Sequence, residues 1–368
     1  MLLTKELIPM VNTFMDMPSG KAKIEYMKMT IKEADRIGDL RGQLYVRDKL
    51  MHESCMHGDG LDMFAVFPEM VRVYEENASK FGDDDADDII WNFKWIIEGA
   101  PQFYQINAET VRKYMERFKE YLIKYGYSLY TYHYMKIVEE FLCDRGRVDV
   151  LNQHYENMQK YTRDRMSDCQ FCEKGLFIGV LLANGKVDEA FEKLEEITSV
   201  GDKCYCSEQP GGSYLHFADY YFEKKEHEPA AKYYEMYYKE SKKKNFYPGA
   251  IGKAIAGISF INTGKALKLF IEQTEDERYE NNPEYLFYHY LGGAYLWKNM
   301  MKDGKETISL EFASKYPIGT KKGECKLQDL YDYFVNKAEV LGEKLDKSNE
   351  SDGKMRMLKM LEKEGERC

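Results

Sequence analysis

The residues whose spacing most resembles a chemical site are cysteines. Cys169-x-x-Cys172 is followed, 32 residues after Cys172, by Cys204-x-Cys206. Helical periodicity puts Cys169 and Cys172 at the start of one helix, and Cys204 and Cys206 just beyond the end of the next. In an antiparallel hairpin those two ends lie together. Four thiolates there would offer Zn²⁺ a tetrahedral site with S–Zn distances of about 2.3 Å. The alternative is four separate thiols, each in a loop or buried as a small hydrophobe.

Other chemistry finds less support. In MHESCMHGDG, His52 and His57 are five apart. A helical metalloprotease motif needs a spacing of four, and a fifth residue turns the second ring away by about 140°. No GxxxxGK[ST] occurs, and no GxGxxG follows a strand. Glu139-Glu140 and Glu195-Glu196 read as solvated helix faces. His133, His154, His216, His227 and His289 are scattered, with no nucleophile obviously paired to any of them. A non-enzymatic protein is therefore expected.

The 368 residues carry a net charge of −10, which disfavours phosphate backbones as partners. Lys242–Lys244 and Lys321-Lys322 are compact basic runs that read as solvated helix ends. With 44% hydrophobic and 32% charged residues, the chain is of a folded type. Its longest apolar run, Gly175–Ala183, is nine residues, and a membrane span needs about 20. The stretch MLLTKELIPMVNTFMDM is interrupted by Lys5, Glu6 and Asp16, so no signal peptide is expected. A cytoplasmic location with reduced thiols follows as an expectation.

These residues must be positioned by helices. Val187, Ala190, Phe191, Leu194 and Ile197 keep helical spacing, as do Val111, Met115, Phe118 and Leu122. No sustained two-residue alternation bounded by hairpin turns appears, so the chain is read as all-α. Turns centre on Gly146, Gly185, Lys225, Gly264 and Gly304, at intervals of 39, 40, 39 and 40. Each interval holds two helices. One hairpin cannot bury its apolar face alone, so a stacked array of helix pairs is expected. Asn107 should cap a helix beginning at Ala108, and Leu40–His57 and Phe64–Phe81 should be helices. GDDDADD (82–88) reads as a solvated loop that also caps the following helix, and Gly342–Cys368 as an exposed last helix or frayed tail. The division expected is 1–85 irregular helical hairpins, 86–325 repeat array, and 326–368 capping helix and charged tail.

Tyr214, Phe217, Ala218, Tyr221, Ala230, Tyr234 and Tyr237, the Leu291-Gly292-x-x-Tyr295 core, and Gly185, Val187 and Ala190 resemble the tetratricopeptide repeat pattern. The resemblance covers about 130–316. It departs in period, about 34 residues being standard, and in Phe177 and Ile178, where a large-small pair belongs. The variant is similar to the long-period repeats of bacterial peptide-sensing regulators. The resemblance implies a right-handed superhelical solenoid of antiparallel helix pairs. The first helix of each pair (helix A) would line a concave groove. Register from the turns puts His52, His133, Lys136, Asp219, Phe222, His289 and Trp297 on that groove, with Trp91 and Trp95 on the helix of the preceding unit, where one packs and the other faces the groove. Aromatic anchors with charged neighbours suit a peptide or protein ligand. Two other readings stay open: a sensor of a short signalling peptide, and a structural protein whose Tyr-rich faces form a homodimer.

Overall fold

A computed structural model describes residues 3–201, 206–244, 249–274, 281–310 and 323–363. Cys204 and Lys321-Lys322 lie outside them. The chain forms two compact units. The first comprises Met1–Leu142 with His154–Ser167 and Glu280–Asn282; the second comprises Cys143–Gln153, Asp168–Tyr279 and Pro283–Cys368. Neither 85 nor 325 is a boundary between them.

The first unit contains α1 (Ile8–Asp16), α2 (Lys21–Ile37), α3 (Leu40–His57), α4 (Asp62–Glu76), α5 (Asp83–Gly99) and α6 (Ala108–Lys124). It also holds most of α7 (Tyr130–Cys143) and the last residues of α8 (Val148–Met158). Consecutive helices α2–α3, α3–α4 and α5–α6 pack together, and α3 also packs on α5. The aromatic core is tight: the Phe67 ring meets the Phe93 edge at 4.7 Å, and Phe118 is fully buried behind it. Asn107 caps α6, its side chain accepting from the Thr110 amide at 2.9 Å. The acidic run is not a loop. Asp83, Asp84 and Asp85 form the first turn of α5, where negative charge complements the helix dipole, and Asp85 accepts from the Gly82 amide at 2.9 Å. The expected helix Phe64–Phe81 stops at Glu76, and a short 3₁₀ turn, Ala78–Lys80, follows it.

The second unit contains α9 (Gln170–Ala183), α10 (Val187–Thr198), α11 (Gly211–Glu223), α12 (His227–Lys244), α13 (Ile251–Ser259), α14 (Thr263–Thr274), α15 (Pro283–Lys302), α16 (Leu327–Asn349) and α17 (Gly353–Lys363). The pairs α9–α10, α11–α12, α13–α14 and α15–α16 are in contact, and α9 touches α11 as α13 touches α15. Gly146, Gly185, Lys225 and Gly304 all take positive φ, as turn residues should. Gly264 does not. It is the second residue of α14, and the turn is made by Asn262, whose side chain accepts from the Lys265 amide at 2.9 Å.

The fold is all-α in class, as expected, with one small two-stranded sheet among the described residues: after Gly304 the chain enters β1 (Thr307–Ser309), which pairs antiparallel with β2 (Glu324–Lys326). Three-residue strands are too short to announce themselves by alternation. As far as Lys363 the C-terminal segment is packed, not the exposed helix or frayed tail expected; residues 364–368 lie outside the described ones. Leu345, Leu358 and Leu361 are buried, and Asp346 accepts from the Lys354 and Met355 amides at 3.0 and 2.9 Å, capping α17. No helix among the described residues is long and apolar enough to cross a membrane.

Gly252 and Gly292 decide how closely α13 and α15 approach. A Cβ on Gly292 would sit 2.4 Å from the Gly252 carbonyl oxygen, and a Cβ on Gly252 would sit 2.1 Å from that of Tyr288. Backbone cannot yield as a side chain can. Gly252→Ala should therefore force the helices apart and cost the second unit about 1–3 kcal/mol, read as an earlier urea midpoint. An unchanged midpoint would contradict the close packing.

Candidate functional site

Cys169 is the N-cap of α9, with its sulfur accepting from the Cys172 amide at 3.3 Å. That geometry faces both sulfurs toward Cys206. The sulfurs of Cys169, Cys172 and Cys206 lie within 4.8 Å of one another, and those of Cys172 and Cys206 are 3.2 Å apart. In a tetrahedral thiolate site neighbouring sulfurs stand about 3.8 Å apart. Three donors on this scale can hold a metal ion. Glu208 accepts from the Cys172 thiol at 3.4 Å. Hydrogen bonds from the Cys172 and Cys206 thiols hold Cys169 well below the ordinary thiol range, and the same contacts with Cys169 push Cys172 and Cys206 up. A thiolate is thus favoured at Cys169. The expected pairing of CxxC with CxC is met by three sulfurs; the fourth, Cys204, is outside the described residues.

The residues expected on a groove fall into both units. In the first unit, His52 on α3 is exposed and packs on half-buried Trp95 of α5 at 5.4 Å. Trp91 is also half-buried, covered by the Lys94 ammonium at 3.8 Å from its ring centre. Lys94 is itself buried and donates to the Met166 carbonyl at 3.2 Å. One to two turns back along α3 and α5 lies a narrow cleft of about 10 Å³, room for one water-sized group, lined by Arg41, Leu44, Tyr45, Asp48, Met70, Asp85 and Asp88. Arg41 pairs with Asp85, Lys49 with Asp48 at 3.0 Å, and Asn92 donates to Asp48 at 3.0 Å. Burial and the neighbouring Asp48 charge push the Asp88 carboxyl up to about 6. None of these acidic cleft residues was legible as a site. The usable signal was their spacing on α3 (41, 45, 48, 52) and α5 (85, 88, 92, 95), which keeps each set on one face.

His133 and Lys136, on α7, are half-buried, but each is engaged. The Nδ1 atoms of His133 and His154 are 3.0 Å apart, Tyr161 stacks on His133 at 5.7 Å, and Lys136 pairs with Glu139 at 2.9 Å. Glu139 and Glu140 are buried, contrary to the solvated face expected of them, whereas Glu195 and Glu196 are exposed. In the second unit Asp219 is half-buried, accepting from Tyr234 at 2.7 Å and pairing with Lys253 at 2.8 Å. Phe222, His289 and Trp297 do not face an open groove. Phe222 meets Tyr295 edge-on, and His289 stacks on Phe270 at 4.8 Å and bonds Gln273 at 3.1 Å. Trp297 is 0% exposed, and its Nε1 has no partner among the described residues. The cause is that α15 is enclosed by α13, α14 and α16, so nearly every face of it is interior. Compared with known proteins, the chain matches no family model, and no curated protein matches its sequence.

The histidine pair has a pH consequence. Burial holds His133 down to about 4, and burial with the Lys136 charge lowers His154. Both rings are protonated more readily in the unfolded chain, whose histidines titrate near about 6.5. Their contribution is therefore complete above that pH and lost as pH falls toward 4. The urea midpoint of the first unit should drop between about pH 7 and about pH 5, and His133→Asn should flatten that dependence. Equal slopes in the two proteins would refute it.

Proposed function

We propose that the protein is a non-enzymatic binding scaffold, a tetratricopeptide-like array of helix pairs in which helix A faces take up a peptide or protein segment. The observation that carries this reading is the α3–α5 seam. Its Trp95 and His52 offer aromatic surface, and the adjoining cleft has three carboxylates, Asp48, Asp85 and Asp88, against two cations, Arg41 and Lys49. The surplus carboxylate is Asp88, disfavoured as an anion by burial and by Asp48. A ligand cation would relieve that cost. The segment best suited to the seam therefore presents a lysine or arginine beside an apolar anchor, with the cation meeting carboxylates and ring faces.

We also infer that the thiol cluster holds a structural Zn²⁺, with Cys169, Cys172 and Cys206 as ligands. Zinc would tie the start of α9 to the chain that follows α10. A site with this much sulfur favours a soft or borderline ion over Mg²⁺ or Ca²⁺. Zinc analysis of protein purified without chelator should find about one equivalent, lost in Cys172→Ser together with a lower melting temperature. A content below about 0.2 equivalents would remove the site.

For the seam, screening by fluorescence anisotropy against Lys- and Arg-bearing peptides should find micromolar binders. Trp95→Ala should weaken the best of them by about tenfold or more. Affinity should rise as pH increases through about 6, where Asp88 ionises, and Asp88→Asn should abolish that rise. No binding at high micromolar concentration, or binding indifferent to both substitutions, rejects the seam.

A further inference from the structure

One face of α15 in the second unit is not open, because α17, which packs on α16, also lies against it. α17 has a buried stripe at Lys354, Leu358 and Leu361, spaced four and three apart. A lysine thus stands where an amphipathic helix ordinarily carries a third apolar residue. Its ammonium reaches Glu284 at 2.9 Å and the Tyr288 hydroxyl at 2.7 Å, both on α15. Further along, the Met357 and Leu361 carbonyls accept from Tyr295 and Lys298, again on α15. Arg356 pairs at 3.0 Å with Asp144, just past the end of α7. Arg145 donates to the Asn349 carbonyl at 2.8 Å, before α17 begins. α17 thus reaches a residue 212 positions away in sequence.

That surface is acidic once α17 is set aside. Asp144, Asp219, Glu223 and Glu284 face it, against Lys253, paired with Asp219 and lying over Tyr288 at 5.0 Å, and Arg145 and Lys298 at its margins, so the carboxylates still outnumber the cations. Burial, with the charges of Asp219 and Asp144, already raises the Glu223 carboxyl, and Arg356 works against that rise. α17 supplies the missing positive charge with Lys354 and Arg356. Buried ion pairs add less to stability than apolar packing of equal area, but they discriminate strongly between partners. The turn into α17 passes through Glu350 in the left-handed region, φ 53°, which disfavours a residue with a Cβ.

We propose that this face of α11, α13 and α15, with Asp144, is a docking surface for a basic amphipathic helix, and that α17 is its resident occupant, displaced by a partner helix of the same chemistry. The fitting partner carries cations at two positions spaced as Lys354 and Arg356 are, then Leu or Met four and seven residues after the first. Tethering gives α17 an effective concentration of about millimolar, so a partner must bind strongly or α17 must first be weakened. The inference rests on the binding-scaffold reading and extends it to a second surface.

The test uses the full chain in a Trp95→Ala background, so that peptide binding at the α3–α5 seam does not contribute. The probe is a labelled, capped peptide of sequence GKMRMLKMLEK. It should bind the Lys354→Glu/Arg356→Glu chain about tenfold or more tightly than the chain with native α17. A peptide bearing the same two glutamates should bind neither. Native-state hydrogen exchange on the chain with native α17 is an independent arm, informative even if the double variant misfolds. The α17 amides should exchange through an opening that leaves α13 and α15 protected. Equal peptide binding to both chains, or α17 exchanging only in step with α15, overturns the proposal. Either result leaves the seam in the first unit to its own test.

Discussion

A helix pair with one apolar face is stable only when a neighbour covers that face, and in the second unit the cover is close enough for backbone to meet backbone. The Gly252 and Gly292 contact between α13 and α15 leaves no room for a methyl group. Everything around it inherits that spacing. Phe334 of α16 lies against Gly293, Trp297 is sealed between Phe270 and Phe334, and Tyr288 is held where Lys253 and Lys354 both reach its ring. Small residues on helices that face one another are what permit large aromatic residues to fill the space on either side.

The close packing also sorts the polar residues. A charged side chain caught between such helices must find a partner, because desolvation without one is costly. Hence Lys94 lies over Trp91 and bonds the Met166 carbonyl, and Lys253 is paired with Asp219. Burial works against the Lys253 ammonium, but Asp219 together with Tyr288 and Asp144 more than offsets it and holds the amine above its ordinary range. Asp88 is compensated only in part. Burial and the Asp48 charge raise its carboxyl, and Lys49 and Arg41 do not fully offset them. An incompletely balanced charge beside an accessible aromatic surface is the physical difference between a packing seam and a recognition seam.

Much of the fold was legible from periodicity and turn chemistry. Leu40–His57 fills the interval between its flanking glycine turns, Val187–Thr198 follows its apolar spacing, and Gly146, Gly185 and Gly304 take the positive φ that glycine permits. Lys225 takes it too, so the interval between turns was a better guide than residue type. Local signals failed where tertiary contacts decide. Nothing local distinguishes Trp297, buried on α15, from Trp95, half-buried on α5. The C-terminal segment reads as charged and aromatic-free, yet Lys354 is buried because carboxylates distant in sequence receive it. Only the thiols announced themselves by spacing, since helix geometry brings Cys169 and Cys172 to one helix start.

The two units make an informative pair because the same composition leads to opposite states of exposure. At the α3–α5 seam Asp85 and Asp48 meet Arg41 and Lys49, both on α3, and His52 stays exposed. Along α11, α13 and α15 an equivalent set of carboxylates and tyrosines is met by cations delivered on a separate, C-terminal helix. An acidic, tyrosine-bearing helix face buried without cations would carry a large desolvation cost, and without any cover it would bind basic peptides indiscriminately. A tethered basic helix answers both problems with one element. Its first-turn ion pairs fix its register, its Leu358 and Leu361 exclude water, and its replacement requires a competitor that reproduces both features. Selectivity at such a surface is then set by the difference between the partner helix and α17, and not by the affinity of either alone.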